Sequence, residues 1–165
     1  MPKVVSNSSP LIHLSKIDLL PILDELFDEI IVPEAVYEEC VVQGGDRDDA
    51  TTIEKTDWIK IKSIEKENLH LKRAFLKDVD EGESEAIVLA LQESADLILL
   101  DEYDARELAR NHDLNITGVI GILLEAKSLG KLENAKNHLE NLSESGFWID
   151  DELYKKVSDQ LDKME

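Results

Sequence analysis

The feature that most constrains this chain is a repeated alternation: a short run of branched apolar residues, then a stretch with helical spacing. VVSN at 4–7 is followed by SSPLIHLSKI, and DEIIVP at 28–33 by EAVYEECVV. LILL at 97–100 is followed by a helical pattern from about Tyr103, and NIT at 115–117 by GVIGILLEAKSLG. Runs of this length and composition suit buried strands, and strand alternating with helix is the pattern of a parallel sheet. An α/β fold with a parallel sheet wrapped by helices is expected.

Local punctuation refines the picture. Ser9 followed by Pro10 reads as an N-cap with proline opening a helix, and Pro21 and Pro33 break the patterns on either side of the second strand. Residues 43–57, QGGDRDDATTIEKTD, combine two glycines with dense charge and predict a surface loop or mobile helix acting as a flap. WIKIKS at 58–63 alternates as a strand, and an amphipathic stretch covers 65–77. Asp80 with Glu83 three residues later predicts a capping box for the helix that follows. Gly130 ends the helix after NIT. The tail, residues 133–165, predicts two helices separated by GFW. Without linker, repeat or low-complexity block, residues 1–165 read as one domain.

Composition narrows the function classes. The 165 residues carry a net charge of −19, which repels phosphate backbones at long range and disfavours a binder that coats nucleic acid with lysines. A nuclease whose acids hold metal ions stays compatible, because the cations reverse the local field. The single cysteine, Cys40, excludes an internal disulfide and fits a reducing, cytoplasmic setting. MPKVVSNSSPL lacks the apolar stretch of a signal peptide, and no apolar run approaches the ~20 residues of a membrane span.

In open parallel sheets, ligands sit beyond the carboxyl ends of the strands. Asn7 ends the first strand and Asp101 ends LILL, although turn and cap chemistry explains such residues equally well. Glu85 precedes Val88 and Leu89 by three and four residues and so borders the apolar stripe of its helix, whereas Glu83 has a capping role and points elsewhere. Glu39 lies nearer the apolar arc of its helix than Glu38. Asn7, Glu39, Glu85 and Asp101 together would present oxygen ligands from four separate segments, which suits Mg²⁺ or Mn²⁺ and the hydrolysis of phosphodiesters.

Taken in order, VVSNSSPLI, IIVPEAVYEEC, DEGESEAIVLAL, LILLDEYDARELA and ITGVIGILLEAKSLG resemble the PIN-domain nucleases of PilT N-terminus type. The resemblance spans nearly the whole chain and is strongest to an uncharacterised branch related to VapC-type toxins. It implies a Rossmann-like parallel sheet with helices on both faces, dependence on Mg²⁺ or Mn²⁺, and endoribonuclease activity. It further implies an RNA substrate, an antitoxin partner and a homodimer. Asn7 stands where such nucleases usually have their first metal-binding aspartate, and Ser9 matches the hydroxyl residue that supports it. Glu39 matches the second acid, Glu85 the third, and Asp101 or Glu102 the fourth. Asn7 departs from the pattern, since an amide oxygen can coordinate a cation but adds no negative charge. A degenerate PIN-like domain that binds RNA or a protein partner without cleavage is therefore the alternative reading.

Other residues are less specific. Lys60, Lys62, Lys66, Lys72, Arg73 and Lys77 gather mid-chain, and Arg106 and Arg110 lie one turn apart, either to meet RNA phosphates or as a solvated charged face. His13, His70, His112 and His138 have no partner at ligand spacing. Cys40 reads as a small packed hydrophobe. Trp58, Phe147 and Trp148 read as core or dimer contacts, or as surfaces for stacking on bases. Gly44 and Gly45 lack the lysine of a phosphate loop.

Overall fold

The computed structural model describes residues 2–45 and 47–164. β1 (Lys3–Ser6) runs into α1 (Ser8–Lys16), and a turn through Pro21 leads to α2 (Ile22–Leu26) and β2 (Glu29–Val32). α3 (Glu34–Tyr37) passes without a break into a π-helical turn at Glu38–Val42, followed by α4 (Asp48–Glu54) and β3 (Ile59–Ile61). A 3₁₀ turn at Lys66–Asn68 opens α5 (Leu69–Phe75), and α6 (Glu81–Gln92) leads to β4 (Leu97–Leu99). The chain ends with α7 (Tyr103–Asn111), β5 (Ile116–Thr117), α8 (Val119–Ser128), α9 (Ala135–Glu144) and α10 (Asp151–Lys163).

The sheet is parallel throughout, in the order β3-β2-β1-β4-β5. Val5 lies beside Ile31 on one side and Ile98 on the other, and all three are buried. Central strands covered on both faces must be apolar on both, which is why they read as unbroken runs. Right-handed crossovers send the connections from β1 through β3 over one face and those from β3 through β5 over the other. Packing of α1 against α4, and of α6 against α7, agrees with that assignment, and α8, after β5, packs on α1 as well. The winding reverses between β1 and β4, so a crevice opens beyond their carboxyl ends. No helix among the described residues is long and apolar enough to cross a membrane.

Two local expectations change. α1 begins at Ser8 with Asn7 in the N-cap position, two residues earlier than the Ser9–Pro10 signal suggests. The Ser9 hydroxyl is instead engaged by Asp101. Most of the 43–57 stretch is no flap: α4 packs on α1 through the buried side chains of Ala50 and Ile53, which outweigh the surrounding charge. Asp46, also in that stretch, lies outside the described residues. The capping box at Asp80 and Glu83 forms as the spacing predicts.

Candidate active site

β1 delivers Asn7, Ser8 and Ser9 to the switch point, and the two serines reach in different directions. The Ser8 hydroxyl donates to Glu39 Oε2 at 2.7 Å, and the Ser9 hydroxyl donates to Asp101 Oδ2 at 2.9 Å. Consecutive residues thus hold two acids that come from distant segments. Asn7, which precedes the two serines, is only 4% exposed, makes no side-chain cap bond, and has a buried Oδ1 with no hydrogen-bond partner. A buried amide oxygen without a donor is uncommon, and a bound cation or water is the usual remedy.

Asp101 follows β4 with its other oxygen fixed at the start of α8. Its Oδ1 accepts from the Val119 backbone N–H at 2.9 Å, and a Cβ on Gly118 would collide with that oxygen. Burial pushes the Asp101 carboxyl above its usual range, although Val119, Ser9 and nearby Arg106 act to lower it. The Arg106 guanidinium donates to the Leu100 carbonyl at 2.9 Å. Arg110 pairs with Glu107 on the same helix.

Glu39 sits in the π-helical turn, whose wider pitch displaces it from the position that helical spacing implies. Its carboxylate lies against Gly82 at the start of α6, where a Cβ would overlap it. Burial raises the Glu39 carboxyl; the Ser8 bond and the Gly82 backbone lower it, while Asp80 and Glu81 add to the rise.

Glu83 has a role beyond the cap. The Asp80 side chain accepts from the Glu83 N–H at 2.8 Å, and Glu83 Oε1 accepts from the Asp80 N–H at 3.1 Å. The buried Glu83 also lines a 520 Å³ cleft with Lys77, Asp80, Glu102, Tyr103 and Asp104. Burial, with Asp80 and Glu102 adding negative field, pushes its carboxyl up to about 7. Sequence reasoning set Glu83 aside because it assigned the residue one role, yet a capping acid at a helix start near the sheet's carboxyl edge can serve two. Glu85 is placed differently. Its Oε1 accepts from the Ala35 N–H at 3.1 Å and its Oε2 meets the Lys72 ammonium at 2.6 Å, so both oxygens tie α6 to α3 and α5. Lys72 also pairs with Glu81 at 3.2 Å, and Lys62 pairs with Glu93, which takes two of the mid-chain cations into intramolecular bridges.

Asn7, Glu39, Glu83, Asp101 and Glu102 offer oxygen donors only, which is the chemistry of hard divalent cations. The orphaned Asn7 oxygen and the excess of negative charge fit such an ion. Among the described residues, no group of three or more His, Cys, Asp or Glu side chains is drawn together closely enough to form a metal cluster. Cys40, in contrast, is buried, with its thiol pushed up to about 12 by burial, and packs as a small hydrophobe.

The Glu83 shift has a measurable consequence. A carboxyl that titrates near 7 folded and near 4.5 unfolded holds a proton in the native state that the unfolded chain releases between those values. Its stabilising contribution is present below about pH 4.5 and is lost as pH rises through 7. Glu39 and Asp101 shift in the same direction. The thermal midpoint of metal-free protein should therefore fall from pH 5.5 to pH 8. Glu83→Gln, which retains an acceptor for the cap, should show a shallower fall; identical slopes in differential scanning fluorimetry would refute the assignment.

A parallel sheet with half-buried acids held by consecutive serines beyond its switch point suits a nuclease-type α/β domain. The chain matches the DUF3368 PIN-domain family over residues 3–163 and belongs to it. PIN domains are a nuclease-type fold, act on nucleic acid and are generally dependent on divalent metal. No curated protein matches the chain.

Proposed function

We propose that the protein is a Mg²⁺- or Mn²⁺-dependent endoribonuclease of toxin character, acting as one domain that includes residues 133–165. The observation that carries this reading is the pairing of Ser8 with Glu39 and Ser9 with Asp101, next in the chain to an Asn7 whose buried oxygen has no partner. Asn7, Glu39, Glu83, Asp101 and Glu102 are the residues to hold the cation. Glu85 is left to its structural bonds with Ala35 and Lys72. When bound, the divalent ion supplies Lewis acidity toward a phosphodiester oxygen and makes water a better nucleophile.

The chain's own groups do the positioning. Ser8 and Ser9 fix the rotamers of Glu39 and Asp101, and the α8 amide at Val119 holds Asp101 from behind. Lys77 at the cleft would meet a phosphate flanking the scissile one. The antitoxin partner and homodimer rest on the resemblance to VapC-type toxins, and the cytoplasmic setting on a single unpaired thiol.

The loss of one formal charge at Asn7 and the lack of a drawn-together acid cluster among the described residues favour a second reading, a PIN-like domain that binds RNA or a protein without cleaving. An assay on structured and unstructured RNAs with Mg²⁺ or Mn²⁺, beside a chelator control, separates the two. Cation-dependent internal cleavage is expected. Wild type and Asn7→Asp both inert on RNAs that they bind would establish the second reading.

A further inference from the structure

Next to the acidic cleft lies a second cavity of 450 Å³, and its lining differs in kind. Tyr103, Phe147 and Trp148 contribute rings, while Asp101, Arg106 and Thr117 contribute polar groups. Tyr103 is 72% exposed and Trp148 is 82% exposed; among the described residues they are the exposed Phe, Tyr or Trp side chains, and both line this one cavity. Large apolar rings left in solvent at one place mark a binding surface more often than chance. Tyr103 also lines the acidic cleft, and Asp101 belongs both to this cavity and to the acid set, so the two sites are continuous.

We propose that this cavity receives an unpaired nucleobase of the RNA, the one attached to a nucleotide flanking the scissile phosphate. The proposal rests on the nuclease reading for its choice of RNA. A base has two apolar faces and a polar edge, and the cavity offers partners for both in the rings of Tyr103, Phe147 and Trp148 and the polar groups of Arg106, Thr117 and Asp101. The guanidinium uses Nη1 on the Leu100 carbonyl, which fixes its plane and leaves further donors for an acceptor on the base edge. Stacking also supplies affinity that does not depend on net charge, which a chain carrying −19 needs when its ligand is a polyanion. Phe147 is braced edge-on by His13 at 4.9 Å between ring centres, so the GFW segment that bears Trp148 is anchored on α1.

Binding of end-labelled single-stranded RNA, measured by anisotropy with Mg²⁺ in a Glu39→Gln background that suppresses cleavage, tests this. Trp148→Ala should weaken binding by about 5- to 150-fold, the range found for removing one aromatic stacking partner. Trp148→Phe should restore most of the loss. In a scan of single abasic substitutions through the RNA, one position should cost a similar factor, and at that position Trp148→Ala should cost nothing more. No binding, no sensitive position, or penalties that simply multiply would each overturn the proposal. So would wild-type RNA affinity in Trp148→Ala together with a change from dimer to monomer in sedimentation, which would make the cavity a contact between copies. Cleavage by wild type with no Trp148 effect sinks the base pocket and leaves the nuclease reading. The abasic coupling without cleavage does the reverse.

Discussion

Asp101→Asn should lose at least about 100-fold in cation-dependent RNA cleavage while folding as well as wild type, or better. The side chains are nearly isosteric, and an amide can still accept from the Val119 N–H and meet the Ser9 hydroxyl, whose own hydrogen can rotate away. What disappears is a formal charge. Removing an outer partner of a metal ligand typically costs about 10- to 100-fold, so neutralising a ligand itself should reach or exceed the upper end. Stability should move the other way. Burial already raises the Asp101 carboxyl, so the native state bears a cost for its ionised form, and a neutral side chain removes it. The thermal midpoint of metal-free Asp101→Asn at pH 7.5 should therefore equal or exceed that of wild type. Retained cleavage with unchanged cation dependence would exclude Asp101 from the site; a large drop in midpoint would mean that the carboxylate's bonds outweigh its desolvation.

The sheet was legible because burial leaves a strong mark. Ile30, Ile31, Ile98 and Leu99 are covered on both faces, and nothing but apolar residues survives there. The switch point was legible too, since Asn7 and Asp101 end strands that pair. What periodicity missed lies where geometry departs from the ideal. The π-helical turn at Glu38–Val42 breaks the 3.6-residue repeat on which the placement of Glu39 rests, and no sequence signal announces it. On α6, Gly82 through Ser84 and Ala86 through Ala90 are buried, so the helix has little free face for an apolar stripe to border. Glu85 sits in the remaining gap and is matched there by Lys72 and the Ala35 amide. Glu83 needed tertiary information: the sequence shows its cap, whereas its neighbour Glu102 comes from the far side of β4. The charge around α4 hid the two residues, Ala50 and Ile53, that pin it.

Asn7→Asp should act in opposite senses with and without divalent cation, and that reversal is the sharpest test of where the ion binds. Asn7 is buried with its Oδ1 unpartnered, and it directly precedes the serines that hold Glu39 and Asp101. Adding a carboxylate there in metal-free protein buries another negative group in a site where burial already raises the carboxyls of Glu39 and Asp101. A buried group left without a partner costs about 1–3 kcal/mol, and about 1 kcal/mol lowers the midpoint of a domain this size by roughly 2–4 °C. The metal-free midpoint should fall accordingly, and more at pH 8 than at pH 5.5, where the new acid is better able to keep its proton. A cation changes the sign. One more unit charge about 4 Å from a divalent ion is worth about 8 kcal/mol at an effective dielectric near 20, and desolvation of the carboxylate and of the ion offsets most of it. Affinity for Mn²⁺ should rise by about 10- to 100-fold, read either by calorimetry or as a larger midpoint shift at fixed metal concentration, because a ligand that binds the native state stabilises it in proportion to the logarithm of its saturation. Cleavage at limiting Mn²⁺ should rise with it. A midpoint that falls equally with and without Mn²⁺ would show that the Asn7 oxygen faces no ion, and the oxygen set assembled around β1 would then have to be given up.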